Sequence, residues 1–203
     1  MAIVADVKDW TWVLERPCPD CGYDAATVDY GAVPDVARAS AARLRAALAR
    51  PDARQRPRPD VWSPTEYAAH VRDVCRIFLF RVAVITRRQA VDPGVPAFDS
   101  GVTGGSFRAK EASPGADSVE LPVFANWDQD ATAVADRYGE QDPTVVAGEL
   151  AVAVEAVAEA FSSVPPAERG LRARRGGGSI FTVESLARYF VHDLVHHVHD
   201  VRG

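Results

Sequence analysis

Lysine is almost missing from this chain: Lys8 and Lys110 are the only two, and arginine supplies the rest of 23 basic residues set against 28 acidic ones. The net charge of -5 argues against a general nucleic-acid binder, because affinity for a phosphate backbone comes mainly from accumulated Lys and Arg. The chain also lacks a run of roughly 18 or more apolar residues and an N-terminal charged-then-apolar leader. Neither a membrane span nor export is expected, which points to a cytoplasmic protein. Cysteine is scarce: Cys18, Cys21 and Cys75 are too few to build the disulfide framework of a secreted domain. Cys18-Pro-Asp-Cys21-Gly has the spacing of half a zinc ribbon, but a structural zinc site needs four ligands and no second CxxC follows. A full ribbon is therefore excluded. Three readings remain open: a reduced pair in a tight turn, a redox pair, or a half-site completed by Cys75 or by a histidine.

What is present suits one helical domain spanning residues 1–203, with 47% hydrophobic residues to fill a core. No internal repeat and no coiled-coil heptad is found. An N-terminal segment, 1–33, carries Trp10, Trp12 and the CxxC. Helical periodicity begins at Pro34 and runs to Arg50, where a Pro- and Arg-rich stretch breaks it. Ser63-Pro64-Thr65-Glu66 reads as a capping box with proline at the first helical position, and Trp62 is placed to staple onto Tyr67. Apolar residues from Tyr67 to Ile85 predict a helix ending near Arg88, and His70, about 40° around the axis from Val74, flanks its buried stripe.

Residues 91–125 shift to Gly, Pro, Ser and Asp without a sustained period and form an expected long loop. A short helical stretch follows Asn126-Trp-Asp-Gln-Asp130. Asp142-Pro143 opens a strongly helical Val145 to Phe161, and the last helix is expected to start near Thr182. Four principal helices with little strand signal predict an all-α four-helix bundle with a long loop between its second and third core helices. Arg169, Arg172, Arg174 and Arg175 beside Gly176 form the one basic cluster, either a solvated loop or a clamp for an anionic group.

Four of the five histidines fall in the last helix, in YFVHDLVHHVHDV. Residues four apart stand one above the other on a helix, so His192 and His196 can present two imidazoles to one point. A bundle-borne ion needs a further ligand from another helix, and His70 is the only histidine elsewhere. Three imidazoles plus water is the arrangement of an open, reactive site. His197 has no histidine four residues away, Asp193 lies about 100° around the helix from His192, and neither Asp193 nor Asp200 is assigned as a ligand.

The stretches Trp62-Ser-Pro-Thr-Glu-Tyr-Ala-Ala-His70-Val-Arg-Asp73 and His192-Asp-Leu-Val-His196-His197 resemble the DinB/YfiT-like superfamily of metal-binding helical bundles. Segments 8–25, 124–143 and 181–193 resemble a subgroup of DinB-like proteins from high-GC bacteria, related to mycothiol-dependent enzymes. The resemblance implies a four-helix core and one divalent ion, commonly zinc or nickel, on His70, His192 and His196. It also implies a thiol-dependent transferase or isomerase that uses a small-molecule thiol such as mycothiol with a small-molecule substrate. Oligomeric state is left open, a homodimer being one option because helix bundles with apolar outer faces often dimerise. Metal-dependent hydrolysis, with Asp73 as a conceivable acid or base, and a non-catalytic metal-binding stress-response scaffold are the alternatives. Asp128, Asp130, Arg188 and Tyr189 are candidates for orienting a polar substrate.

Overall fold

The computed structural model describes residues 9–101, 121–176 and 178–202. It is mostly helical, with four long helices, one short one and a small three-stranded sheet. Helix α1 (Val33–Leu48) buries Ala37, Ala41, Leu44 and Leu48, which recur at helical spacing. Helix α2 (Pro64–Ile85) starts on the capping box the sequence announces. The Ser63 Oγ accepts from the Glu66 N–H at 3.3 Å, and the Glu66 Oε2 accepts from the Ser63 N–H at 2.8 Å. The Trp62 and Tyr67 rings meet at 5.5 Å, as the staple requires.

Strand β1 (Val123–Phe124) and helix α3 (Gln129–Ala135) follow, then α4 (Pro143–Ser162), capped by Asp142. Strands β2 (Arg172–Arg175) and β3 (Ile180–Thr182) lead directly into α5 (Val183–Asp200), where Thr182 and Ser185 form a second capping box. Helix α4 packs across α1 and α2, and α5 packs on both of them from another side. Phe190 of α5 lies 5.1 Å from Phe78 and 5.3 Å from Phe161, joining α2, α4 and α5 in one aromatic cluster. Burying aromatic side chains of this size is the largest single contribution available to such a core.

The sheet is what the sequence reading did not anticipate. β2 pairs parallel to β1 and antiparallel to β3. Its strands are two to four residues long, too short to show an alternating pattern, and Gly178 turns the β2–β3 hairpin at φ +98. The sheet also separates the arginines of the basic cluster. Arg169 lies over the Tyr30 ring at 4.2 Å, Arg175 bonds Asp9 and Ser179, and Arg172 and Arg174 are exposed. They form no common anion clamp. Of the expected long loop, residues 102–120 lie outside the described residues. Among the described residues no helix is long and apolar enough to cross a membrane.

One buried polar network joins α2 to the segment that leads into α4. The Arg72 guanidinium donates to both oxygens of Asp73 at 2.9 Å, to Asp136 at 2.5 Å, to Gln141 at 2.9 Å and to Glu149 at 2.7 Å. Asp73, fully enclosed, also accepts from Arg76 at 3.0 Å and from the Tyr138 hydroxyl at 2.7 Å. Removing one partner of a buried ion pair leaves the other charge uncompensated, at a cost of about 3–5 kcal/mol. Because Asp73 keeps two donors, Arg72→Ala is expected at the lower end, about 3 kcal/mol, in equilibrium urea denaturation. Arg38→Ala, which breaks an exposed pair with Glu155, should leave the midpoint nearly unchanged.

Candidate metal centre

Helix α5 presents two adjacent ligand stripes. His192 and His196 make one, Asp193 and His197 the other, and each pair is spaced four residues apart, about 40° around the axis. One residue of offset turns the second stripe about 100° from the first. The two stripes therefore meet different parts of the molecule.

The second stripe meets α2. His70, Asp193 and His197 each bring a ligand atom within 4.8 Å of the others. The Asp193 Oδ1 lies 3.5 Å from the His70 Nε2 and 3.2 Å from the His197 Nε2, and the His70 and His197 rings stand nearly perpendicular at 4.7 Å. His70 is held rigidly: its ring stacks on Trp127 at 5.1 Å and 5°, and Trp62 closes another side at 5.4 Å. Although the side chain is only 1% exposed, neither ring nitrogen has a hydrogen-bond partner, since the approach to Asp193 lacks hydrogen-bonding geometry. On its far nitrogen, Nδ1, His197 meets the Asp200 Oδ2 at 2.9 Å.

Electrostatics follow from this enclosure. Burial pushes the His70 imidazole below its ordinary range, against the pull of Asp193, so it is neutral at pH 7 and able to act as a ligand. Burial acts in the same direction on His197, but there the hydrogen bonds to Asp193 and Asp200 prevail and lift it to about 9. Burial would raise Asp193, yet His197 and His70 hold its carboxyl far below the usual carboxylate range. Without an ion, His197 thus keeps a proton between two carboxylates.

The first stripe meets the N-terminal segment. Cys18, Cys21, His192 and His196 all bring ligand atoms within 4.8 Å of one another. The Cys18 Sγ is 3.7 Å from the His196 Nδ1, and the His192 Nε2 is enclosed without a hydrogen-bond partner. Burial pushes His192 down to about 4 and also lowers His196. Burial likewise pushes the Cys21 thiol up to about 11, opposed by the Tyr23 backbone N–H. All three cysteines are free thiols, and Cys75, buried within α2, belongs to neither group.

The three histidines read from the sequence are therefore divided. His192 and His196 come together, as their spacing requires, but their partners are Cys18 and Cys21, while His70 joins Asp193 and His197. The same four-residue rule identifies Asp193 and His197 once carboxylates are counted with imidazoles. Between the stripes lies an open cleft of about 280 Å³, lined by His192, Asp193, His196, His197 and Asp200 and walled by Trp10, Trp62 and Tyr67. Asp130 and Tyr189 of the proposed orienting residues line it; Asp128 caps α3 and Arg188 pairs with Glu184. Asp73 is engaged by two arginines and a tyrosine in the network described above.

Helices, last-helix histidines and buried His70 together mark a superfamily, and comparison agrees. The family model of the DinB superfamily matches residues 35–201, so the chain belongs to that superfamily. No curated protein and no solved structure matches it. Within the described residues, two groups could hold a metal ion.

A side chain kept for a ligand should be dispensable for the metal-free fold. Unpartnered buried nitrogens contribute no net stability, and Asp193 keeps His197 when His70 is removed. Metal-free His70→Leu should accordingly melt within a few degrees of the wild type while losing the stabilisation that added metal gives. A loss of more than about 2 kcal/mol in the metal-free variant would instead make His70 a packing residue.

Proposed function

We propose that this chain is a divalent-metal enzyme of the thiol-dependent transferase or isomerase kind, with its reactive ion on His70, Asp193 and His197. The observation that carries the reading is the enclosed, rigidly stacked His70 whose two ring nitrogens have no hydrogen-bond partner, beside a carboxylate and a second imidazole at the wall of an open cleft. Two imidazoles and one carboxylate suit zinc or nickel and leave a coordination position for an outside ligand. The contact of Asp200 with the Nδ1 of His197 is the carboxylate backing that fixes a ligating imidazole with its Nε2 turned inward. When bound, a divalent ion supplies the positive charge that stabilises a thiol as its nucleophilic thiolate at neutral pH.

The cleft itself speaks for the thiol. Trp10, Trp62 and Tyr67 offer aromatic faces, and Asp60, Gln129, Asp130 and Asp200 offer acceptors for hydroxyl groups. Flat apolar faces edged by hydroxyl acceptors suit a sugar-bearing thiol such as mycothiol. A hydrolase would need a general base at the reacting centre, and Asp73, the residue first considered for that role, has its oxygens filled by Arg72, Arg76 and Tyr138.

Isothermal titration of the zinc- or nickel-loaded protein with mycothiol tests the reading. Saturable binding is expected, with at least a tenfold weaker Kd in His70→Ala and in Asp193→Asn. Equal binding by the wild type and both variants would remove the assignment, as would no binding by a wild type shown to carry its ion.

A further inference from the structure

The first stripe of α5 takes no part in that chemistry. We infer that Cys18, Cys21, His192 and His196 form a second, closed metal site of zinc type, which fastens the N-terminal segment to the last helix. Only its role as a wall of the thiol cleft rests on the function proposed above; the site itself does not.

The donor set is complete. Two thiol sulfurs and two imidazole nitrogens fill a tetrahedral structural site, leaving no open position. One separation, between Cys18 and His196, compares directly with tetrahedral geometry. Bonds of about 2.3 Å to sulfur and about 2.05 Å to nitrogen set an S–N separation of about 3.6 Å across a tetrahedral angle. Cys18 Sγ and His196 Nδ1 stand at 3.7 Å. Cys18 is 1% and His192 4% exposed, and the buried Nε2 of His192 has no partner, which is the condition of a ligand without its ion. Asp200 Oδ2, 3.8 Å from the far nitrogen of His196, stands behind that ring within ion-pair reach.

The turn is shaped for the purpose. The Cys18 N–H donates to the Tyr23 carbonyl at 2.8 Å and the Gly22 N–H to the Cys18 carbonyl at 2.9 Å, folding the two cysteines onto one side. Gly22 takes φ +73, which a side chain would strain. Redox CxxC pairs commonly sit at a helix N-terminus, whereas this one lies in a turn and, among the described residues, no α-helix begins before Val33. The Tyr23 hydroxyl donates to the Arg188 carbonyl at 2.6 Å, holding the turn against α5. Both cysteines precede residue 35, where the match to the superfamily begins. Two of the four ligands thus come from outside the region the family defines.

A consequence follows for the cleft. Trp10 lies 5.6 Å from the His192 ring and 5.3 Å from that of His196, and it walls the cleft. An ion on these histidines would fix both the strap and that wall.

Cobalt(II) substituted into the full chain gives the test, because thiolate ligands produce intense near-ultraviolet charge transfer and tetrahedral sites intense visible bands. Both are expected in the wild type, in His70→Ala and in Cys75→Ala. The charge transfer should vanish in Cys18→Ser/Cys21→Ser, where cobalt on His70, Asp193 and His197 still contributes visible bands, and the visible bands should shift in His192→Ala. A wild-type spectrum without thiolate charge transfer overturns the site, and needs no variant to fold. Charge transfer that survives the double cysteine variant overturns it as well. If His70→Ala keeps these bands but wild-type protein binds no mycothiol, the second site stands and the proposed function falls.

Discussion

Asp193 sits between the imidazoles of His70 and His197, 3.5 Å from the first and 3.2 Å from the second, so the face that α5 turns toward α2 is the one carrying Asp193 and His197. That orientation decides everything nearby. With Asp193 and His197 facing α2, the neighbouring stripe of His192 and His196 must face about 100° away, toward the strap that carries Cys18 and Cys21. A partly buried carboxylate is best accommodated where it is paired, and here its partners are themselves candidate ligands. The charges that would be costly in an ordinary core are gathered at one end of the bundle, and Asp200 backs a histidine of each stripe.

The remainder of the architecture serves to hold that end rigid. Two capping boxes fix where α2 and α5 start, and therefore the height at which His70 meets Asp193. Trp62, just before the α2 cap, contacts Tyr67, His70 and Tyr138, so the residue that staples the helix also walls the imidazole. Trp127, just before α3, stacks on His70 from the other side, its indole N–H donating to Thr132 at 2.7 Å. Stacked in this way, His70 cannot turn to find a hydrogen bond. Its unpaired nitrogens are a property of the packing around it.

Much of this was legible in the sequence because it is local. The caps at Ser63 and Asp142, the start of α5 at Thr182 and the stacking of His192 over His196 all depend on residues within one or two turns of each other. The small sheet was not, since strands as short as Val123–Phe124 carry no period and gain their hydrogen bonds from residues some fifty positions away. The partners of each stripe were hidden for a related reason. Spacing shows that residues 192 and 196 share a face, but not whether α2 or the N-terminal strap lies opposite that face. Counting histidines alone further concealed Asp193 and His197, whose spacing is identical.

The juxtaposition also accounts for three of the four histidines of the last helix, together with Asp193. One ion held by side chains from α2 and α5 requires only two ligands on α5. A second ion, shared with a cysteine turn, requires two more, and the only way to place both sets at one height is to offset them by one residue. HDxxHH is that arrangement: His192 and His196 on one stripe, Asp193 and His197 on the next. His199, more than half exposed, lies outside both groups. The closed set, of two sulfurs and two nitrogens, suits an ion that stays, and the set with a carboxylate and an open position suits one that reacts. A permanent ion beside a reactive one would make the N-terminal strap a fixed wall of the cleft without requiring a larger hydrophobic core.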